Sequence, residues 1–164
     1  MRIIRELRRR GRLEEYNNLQ KAKLRSGLLV DDWLKRIEAA DIEKKGPKAV
    51  FYSSHDGTLT PLLYALGVSN DLLVPPAACI FVEIVRDPSS DLYAQIFYRN
   101  TSSHDPWLLR LPNCSAECPV ADFITQLQPM RIGNEKALRQ ICNASSITNL
   151  MVIALLIVAF LALK

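Results

Sequence analysis

Histidine is scarce in this 164-residue chain: there are two, His55 and His104, and four cysteines, Cys79, Cys114, Cys118 and Cys142. A closed metal site takes about four ligands, and both histidines lie far in sequence from the closely spaced Cys114 and Cys118. No metal and no organic cofactor is suggested by these residues. Internal repeats and low-complexity segments are also lacking, which excludes a fibrous repeat. Aromatic residues make up only 7% of the chain, but 49% is hydrophobic and 23% charged, a globular rather than a disordered composition. One compact domain is the most this length accommodates. The first twelve residues lack the seven or more consecutive apolar residues of a secretory signal, so as it stands nothing at the front directs export.

What is present is unevenly distributed. Residues 1–48 hold 14 Lys and Arg against 8 Asp and Glu, whereas residues 49–164 hold 7 against 9. Six of those arginines fall between Arg2 and Arg12. Such a run is either a phosphate-binding or targeting patch or, with Ile3, Ile4 and Leu7 interleaved, a solvated helix face. The helix face is the expected reading, and no nucleic-acid partner is expected. At the other end, residues 147–163 carry no charge. A helix of that length spans about 25 Å against a hydrocarbon core of about 30 Å. A buried core helix is the alternative, but that normally keeps a polar stripe, and Met151 to Leu163 has none. A transmembrane anchor is expected there.

Three Asn-x-Ser/Thr sequons, at Asn100, Asn113 and Asn143, are crowded before that tail and suggest a lumenal or extracellular face carrying glycans. Cys114 and Cys118 lie four apart in a Pro-flanked, loop-like stretch, where a small disulfide ring is the natural reading and a zinc site the rival. An exported carboxy-terminal half behind a front without an export signal leads to the expectation of a chain missing upstream sequence.

Between the ends, apolar positions recur at helical spacing from about Leu13 to Lys45, with Ser26-Gly27 a candidate break. Ala49 to Ser53 reads as a short buried strand, and Leu59 to Leu66 as a helix with Gly67 just past its end. Cys79 to Arg86 and Leu92 to Arg99 read as an antiparallel hairpin with Ile80, Val82 and Ile84 on one face. A further short strand is expected at Trp107 to Leu111, and short helices at Val120 to Leu127 and Glu135 to Ile141.

The chemistry concentrates in Tyr52-Ser53-Ser54-His55-Asp56-Gly57-Thr58. An adjacent His and Asp at the start of a helix put an imidazole and a carboxyl beside backbone N–H groups that suit an anion. Such a pair can contact phosphate through the imidazole and protonate a leaving oxygen through the carboxylic acid. A second His-Asp pair, His104-Asp105, lies in the polar, Pro-bounded stretch from Ser102 to Pro106 and reads as a surface turn.

The wider pattern resembles the histidine acid phosphatases of the lysosomal and prostatic type. The likeness rests on Tyr52-Ser53-x-His55-Asp56-x-Thr58, on Leu72 to Cys79 running into Phe81-Val82-Glu83, on Phe97-Tyr98-Arg99-Asn100, and on Leu109-Arg110-Leu111-Pro112-x-Cys114-Ser115-x-x-Cys118-Pro119. The resemblance implies an α/β fold, here a partial histidine-phosphatase-like arrangement of mixed sheet, flanking helices and antiparallel hairpin, followed by a transmembrane helix. It divides the chain into a basic helical segment (1–46), the carboxy-terminal part of a phosphatase domain (47–142) and an anchor (147–163). It implies Asp56 as proton donor to the leaving alcohol, His55 as a phosphate contact, and a short-range disulfide between Cys114 and Cys118.

The same resemblance implies a phosphate monoester substrate, a homodimer and a lysosomal or secretory setting. One departure matters. The family's nucleophilic histidine sits in an Arg-His-Gly-x-Arg-x-Pro motif, and no such motif occurs in this chain. An acid without its nucleophile leads to the expectation of no turnover by this chain alone, with a non-catalytic, membrane-anchored lumenal fragment or interaction protein as the alternative.

Overall fold

The computed structural model describes residues 1–43 and 47–143. Two helices open the chain, α1 (Arg2–Glu14) and α2 (Leu19–Glu43). Asn18 starts α2, accepting a hydrogen bond from the Lys21 backbone N–H at 2.9 Å through its side-chain oxygen, as a helix cap does. The buried face of α2 steps along Ala22, Ser26, Val30, Leu34 and Ile37, intervals of four and three that keep one stripe inward.

The expected break at Ser26-Gly27 is not there: α2 runs through it. Ser26 turns its hydroxyl back onto the Ala22 carbonyl at 2.7 Å, so its burial leaves no polar group unmet. Gly27 serves close packing instead. A Cβ at that position would stand 2.7 Å from Ile132 Cγ1 and 2.8 Å from the Met130 carbonyl oxygen. The Ile132 N–H donates to the Gly27 carbonyl at 3.1 Å. The true interruption falls earlier, between residues 14 and 19, where the chain turns.

Helix α3 (Asp56–Ala65) follows an extended approach. It closes on Gly67 at φ +71°, with the Gly67 N–H on the Tyr64 carbonyl and the Val68 N–H on the Leu63 carbonyl, both at 3.0 Å. That pair of bonds is the Schellman motif, and the left-handed conformation is why glycine stands there.

The hairpin is formed by β1 (Cys79–Arg86) and β2 (Leu92–Arg99), paired antiparallel along their whole length. Ile80, Val82 and Ile84 lie opposite Tyr98, Ile96 and Ala94, so one face of the ribbon is apolar and packs inward. On the other side of β2 pair two short strands, β3 (Trp107–Leu109) and β4 (Cys118–Pro119). Helix α4 (Val120–Leu127), a 3-10 turn (Gln128–Met130) and helical residues 135–143 follow. The core brings Val30 and Leu34 of α2, Leu62 and Leu66 at α3, and Phe123 and Leu127 of α4 onto the inner face of the sheet. Each such side chain removes apolar area worth about 1.5–3 kcal/mol from water.

Two expectations need correction. Residues 49–55 belong to no helix or sheet, and Phe51 is 93% exposed. A strand exists only through its ladder, and among the described residues no strand runs alongside to supply one. The expected fold also included a transmembrane helix. Among the described residues no helix is long and apolar enough to cross a membrane. The 25-residue α2 has the length, but one of its faces carries charges such as Lys21, Arg25, Asp32 and Arg36. The stretch 147–163 lies outside the described residues.

Candidate active site

His55 and Asp56 sit where the extended segment enters α3. His55 is the last non-helical residue (φ −125°, ψ 168°), and its carbonyl accepts the Thr58 and Leu59 N–H groups at 2.9 and 3.2 Å. Asp56 opens the first turn, where the positive end of the helix dipole favours a negative charge. The approach to this corner is tethered by Tyr52, whose hydroxyl donates to Asp32 Oδ2 on α2 at 2.5 Å, and Arg36 Nε holds the same oxygen at 2.8 Å. Hydrogen bonds from Arg36 and Tyr52 keep the Asp32 carboxyl below its usual range.

The corner forms one wall of a cleft of about 680 Å³. The second wall is the loop Leu73 to Ala78, and the third is α1 with its C-cap, through Arg8, Gly11, Arg12 and Glu15. In that loop Ala77 adopts φ +61°, a left-handed conformation disfavoured for a residue with a Cβ, and the Ala78 N–H returns to the Pro75 carbonyl at 3.3 Å.

Helix α1 is fixed against the cleft by apolar and polar contacts. Leu13 and Tyr16 are buried, and Arg9 donates to the Asp71 carbonyl at 2.5 Å. Arg9 and Arg10 also bind Glu6, drawing its carboxyl down to about 2.

Arg12 reaches the His-Asp corner. Its Nη1 donates to Glu15 at 2.9 Å, its Nη2 lies 3.5 Å from Asp56 Oδ2, and its guanidinium carbon stands 5.2 Å from the Tyr16 ring centroid. Burial is the largest influence on the Arg12 charge and opposes it, but the bond to Glu15 and the nearby Tyr16, Asp56 and Glu15 charges together outweigh it and raise the guanidinium pKa. Bonds from Tyr16 and Arg12 hold the Glu15 carboxyl down in turn. Gly57 leaves room for this arrangement, since a Cβ there would come 3.0 Å from Arg12 Nη2.

An imidazole, a carboxyl and a guanidinium thus converge at a helix N-terminus in an open cleft. With two donors of positive or proton-bearing character beside backbone N–H groups, the arrangement suits a phosphate-sized anion. Residues 12–102, more than half of the chain, match the histidine phosphatase superfamily (branch 2). The chain belongs to that superfamily.

Lysosomal acid phosphatase of Bos taurus is 36% identical over 115 residues, and that of Xenopus laevis 38% over 116; each match covers 70% of this chain and 27% of the relative. Prostatic acid phosphatase of Rattus norvegicus is 36% identical over 111 residues, 68% of this chain and 29% of the relative. The chain therefore spans less than a third of the length of these acid phosphatases.

The other sequence candidates do not line this cleft. Cys114 and Cys118 are joined as a disulfide, with Cα atoms 5.4 Å apart, tying the loop before β4 to the first residue of that strand. Asn100, just past β2, is half-buried, while Asn113 and Asn143 are exposed. His104 and Asp105 occupy an exposed turn, where Ser103 Oγ meets His104 Nδ1 at 3.0 Å. Cys79 is half-buried and Cys142 exposed, both as free thiols. No group of three or more metal-ligating side chains occurs among the described residues.

The sequence reading missed that α1 forms part of the cleft. The available signal was the pair Arg8 and Arg12, four apart and hence on one helix face, with Gly11 between them narrowing the helix.

Proposed function

We propose that this chain is a phosphate-monoester-binding part of a histidine acid phosphatase, with His55 contacting the phosphate and Asp56 as the proton donor. The observation that supports this most directly is the placement of His55-Asp56 at the start of α3 in a cleft lined by Arg8 and Arg12. In the reaction, the P–O bond to the alcohol breaks as the Asp56 carboxylic proton passes to the leaving oxygen, while a histidine nucleophile accepts the phosphoryl group. These 164 residues contain no Arg-His-Gly-x-Arg-x-Pro motif to supply that nucleophile. The chain by itself then binds the ester without turning it over by this route.

The lysosomal naming of its relatives and the Cys114–Cys118 disulfide support a lumenal setting in the lysosomal or secretory pathway, where disulfides persist. The test uses the full chain, with inorganic phosphate binding followed by calorimetry and p-nitrophenyl phosphate release followed at pH 5. The expected result is phosphate binding that His55→Ala weakens, with no release above a buffer blank. Failure to bind phosphate refutes the binding site. Release abolished by Asp56→Asn refutes the assignment of binding without turnover.

A further inference from the structure

We propose that Arg12 is a phosphate-holding residue of the cleft, so that the basic helix α1 contributes directly to the site. The inference rests on the reading of the cleft as a phosphate-monoester site and adds a residue to it. Three observations carry it. The Arg12 guanidinium lies within reach of the His-Asp corner, 3.5 Å from Asp56 Oδ2, although 44 positions separate the two in sequence. It is held there by the two residues that follow its helix, through the 2.9 Å bond to Glu15 and the 5.2 Å distance to the Tyr16 ring centroid. Its side chain keeps 34% exposure, so one edge of the fork still faces the cleft.

Physical chemistry favours this assignment over a purely structural ion pair. A guanidinium committed to a carboxylate approaches to about 2.7–2.9 Å, and Arg12 does so with Glu15 but not with Asp56. The Nη2 edge is thus presented beside Asp56 rather than spent on it. A planar fork already oriented by stacking loses little freedom on gripping two phosphate oxygens. The absence of a Cβ at position 57 keeps the space that the guanidinium occupies open. Arg8, one turn earlier on α1, adds positive charge to the same wall.

The experiment measures binding of inorganic phosphate to the full chain at low ionic strength, comparing Arg12→Gln, Arg12→Lys and Arg5→Gln. Arg5 lies on α1 but does not line the cleft, so Arg5→Gln removes the same charge from the same helix. Circular dichroism melting of each variant confirms that it is folded. The expected result is on the order of tenfold weaker binding for Arg12→Gln, the scale of one lost charge-assisted hydrogen bond. Arg12→Lys should fall between, and Arg5→Gln within about twofold of the parent. Equal losses for Arg5→Gln and Arg12→Gln overturn the proposal in favour of a diffuse charge effect. Unchanged binding in folded Arg12→Gln, with loss in His55→Ala, overturns it while leaving the phosphate-binding reading in place. No phosphate binding by the parent chain overturns both.

Discussion

Replacing Gly27 by alanine sets two effects of opposite sign against each other. In an exposed helix interior the change is favourable by about 1 kcal/mol, because alanine is the better helix former. Here the added methyl would lie 2.7 and 2.9 Å from Ile132 Cγ1 and Cδ1 and 2.8 Å from the Met130 carbonyl oxygen. Relieving those contacts to an ordinary carbon separation of about 3.5 Å means moving the 130–132 segment by roughly 0.8 Å. Ile132 is 2% exposed and has nowhere to retreat. The displacement also stretches the 3.1 Å bond from the Ile132 N–H to the Gly27 carbonyl, worth about 1 kcal/mol. Overpacking costs about 1–3 kcal/mol. The net expectation is a loss of about 1–3 kcal/mol, readable as a fall of roughly 1 M in the urea midpoint by circular dichroism. Gly11→Ala is the matched control: nothing lies within 4 Å of its added methyl, so it should gain about 0.5–1 kcal/mol. A Gly27→Ala protein as stable as the parent would refute the close-approach argument.

Other sites give independent tests. Arg131 bridges Asp31 at 2.5 Å and Glu38 at 2.8 Å, tying the end of the chain's core to α2, and the Asp31 side chain is only 6% exposed. Arg131→Met should therefore lower unfolding free energy by about 2–3 kcal/mol, less than a fully orphaned buried charge because Lys35 still meets Asp31; a urea midpoint within experimental error of the parent would contradict this. Burial opposes the Asp31 charge, but bonds from Lys35 and Arg131 outweigh it and place its carboxyl below the ordinary 3.8. A depressed carboxyl contributes stability above its unfolded-state value and loses it as pH falls through the lower folded-state value. Urea midpoints should hold from pH 6 to about 4 and fall below, and Arg131→Met should narrow that acid-dependent loss. Ala77→Gly should raise stability by about 0.5–1 kcal/mol, since relief of a left-handed alanine exceeds the added freedom of the unfolded glycine; a lowered melting temperature speaks against strain at Ala77.

Local features were legible because each carries its own period or cap. The hairpin at Cys79–Arg86 and Leu92–Arg99 and helix α4 at Val120–Leu127 fall at the residues expected, since alternating burial and a 3.6-residue stripe are written into the positions themselves. Gly67 was readable as a helix end for the same reason. Gly27 was not, because its meaning comes from Ile132, about a hundred positions away, and a glycine in a helix looks alike whether it breaks the helix or admits a neighbour. The run from Ala49 to Ser53 has the composition of a buried strand, yet composition supplies no hydrogen-bonding partner. The two-residue β4 is too short to leave a pattern at all.

The site shows where that limit falls for function. His55-Asp56 and His104-Asp105 are the same dipeptide, one at the mouth of a cleft and one on an exposed turn. Nothing within the two residues distinguishes them. The difference is the company each keeps: a helix start, a loop wall and a guanidinium held by its own stack and ion pair around the first, and an exposed turn with Ser103 on the imidazole around the second. The arginine-rich front changes meaning by the same route. On the sequence it is six positive charges, three of which, Arg2, Arg5 and Arg10, any solvated helix face would carry unnoticed. In the fold, Arg9 docks the helix and Arg12 meets Asp56, so the direction in which α1 packs, set by burial of Leu13 and Tyr16, decides which of its charges an anion in the cleft can feel. At a Debye length of about 8 Å, a guanidinium at contact distance retains its pull on a bound phosphate, while those on the far face of α1 are largely screened.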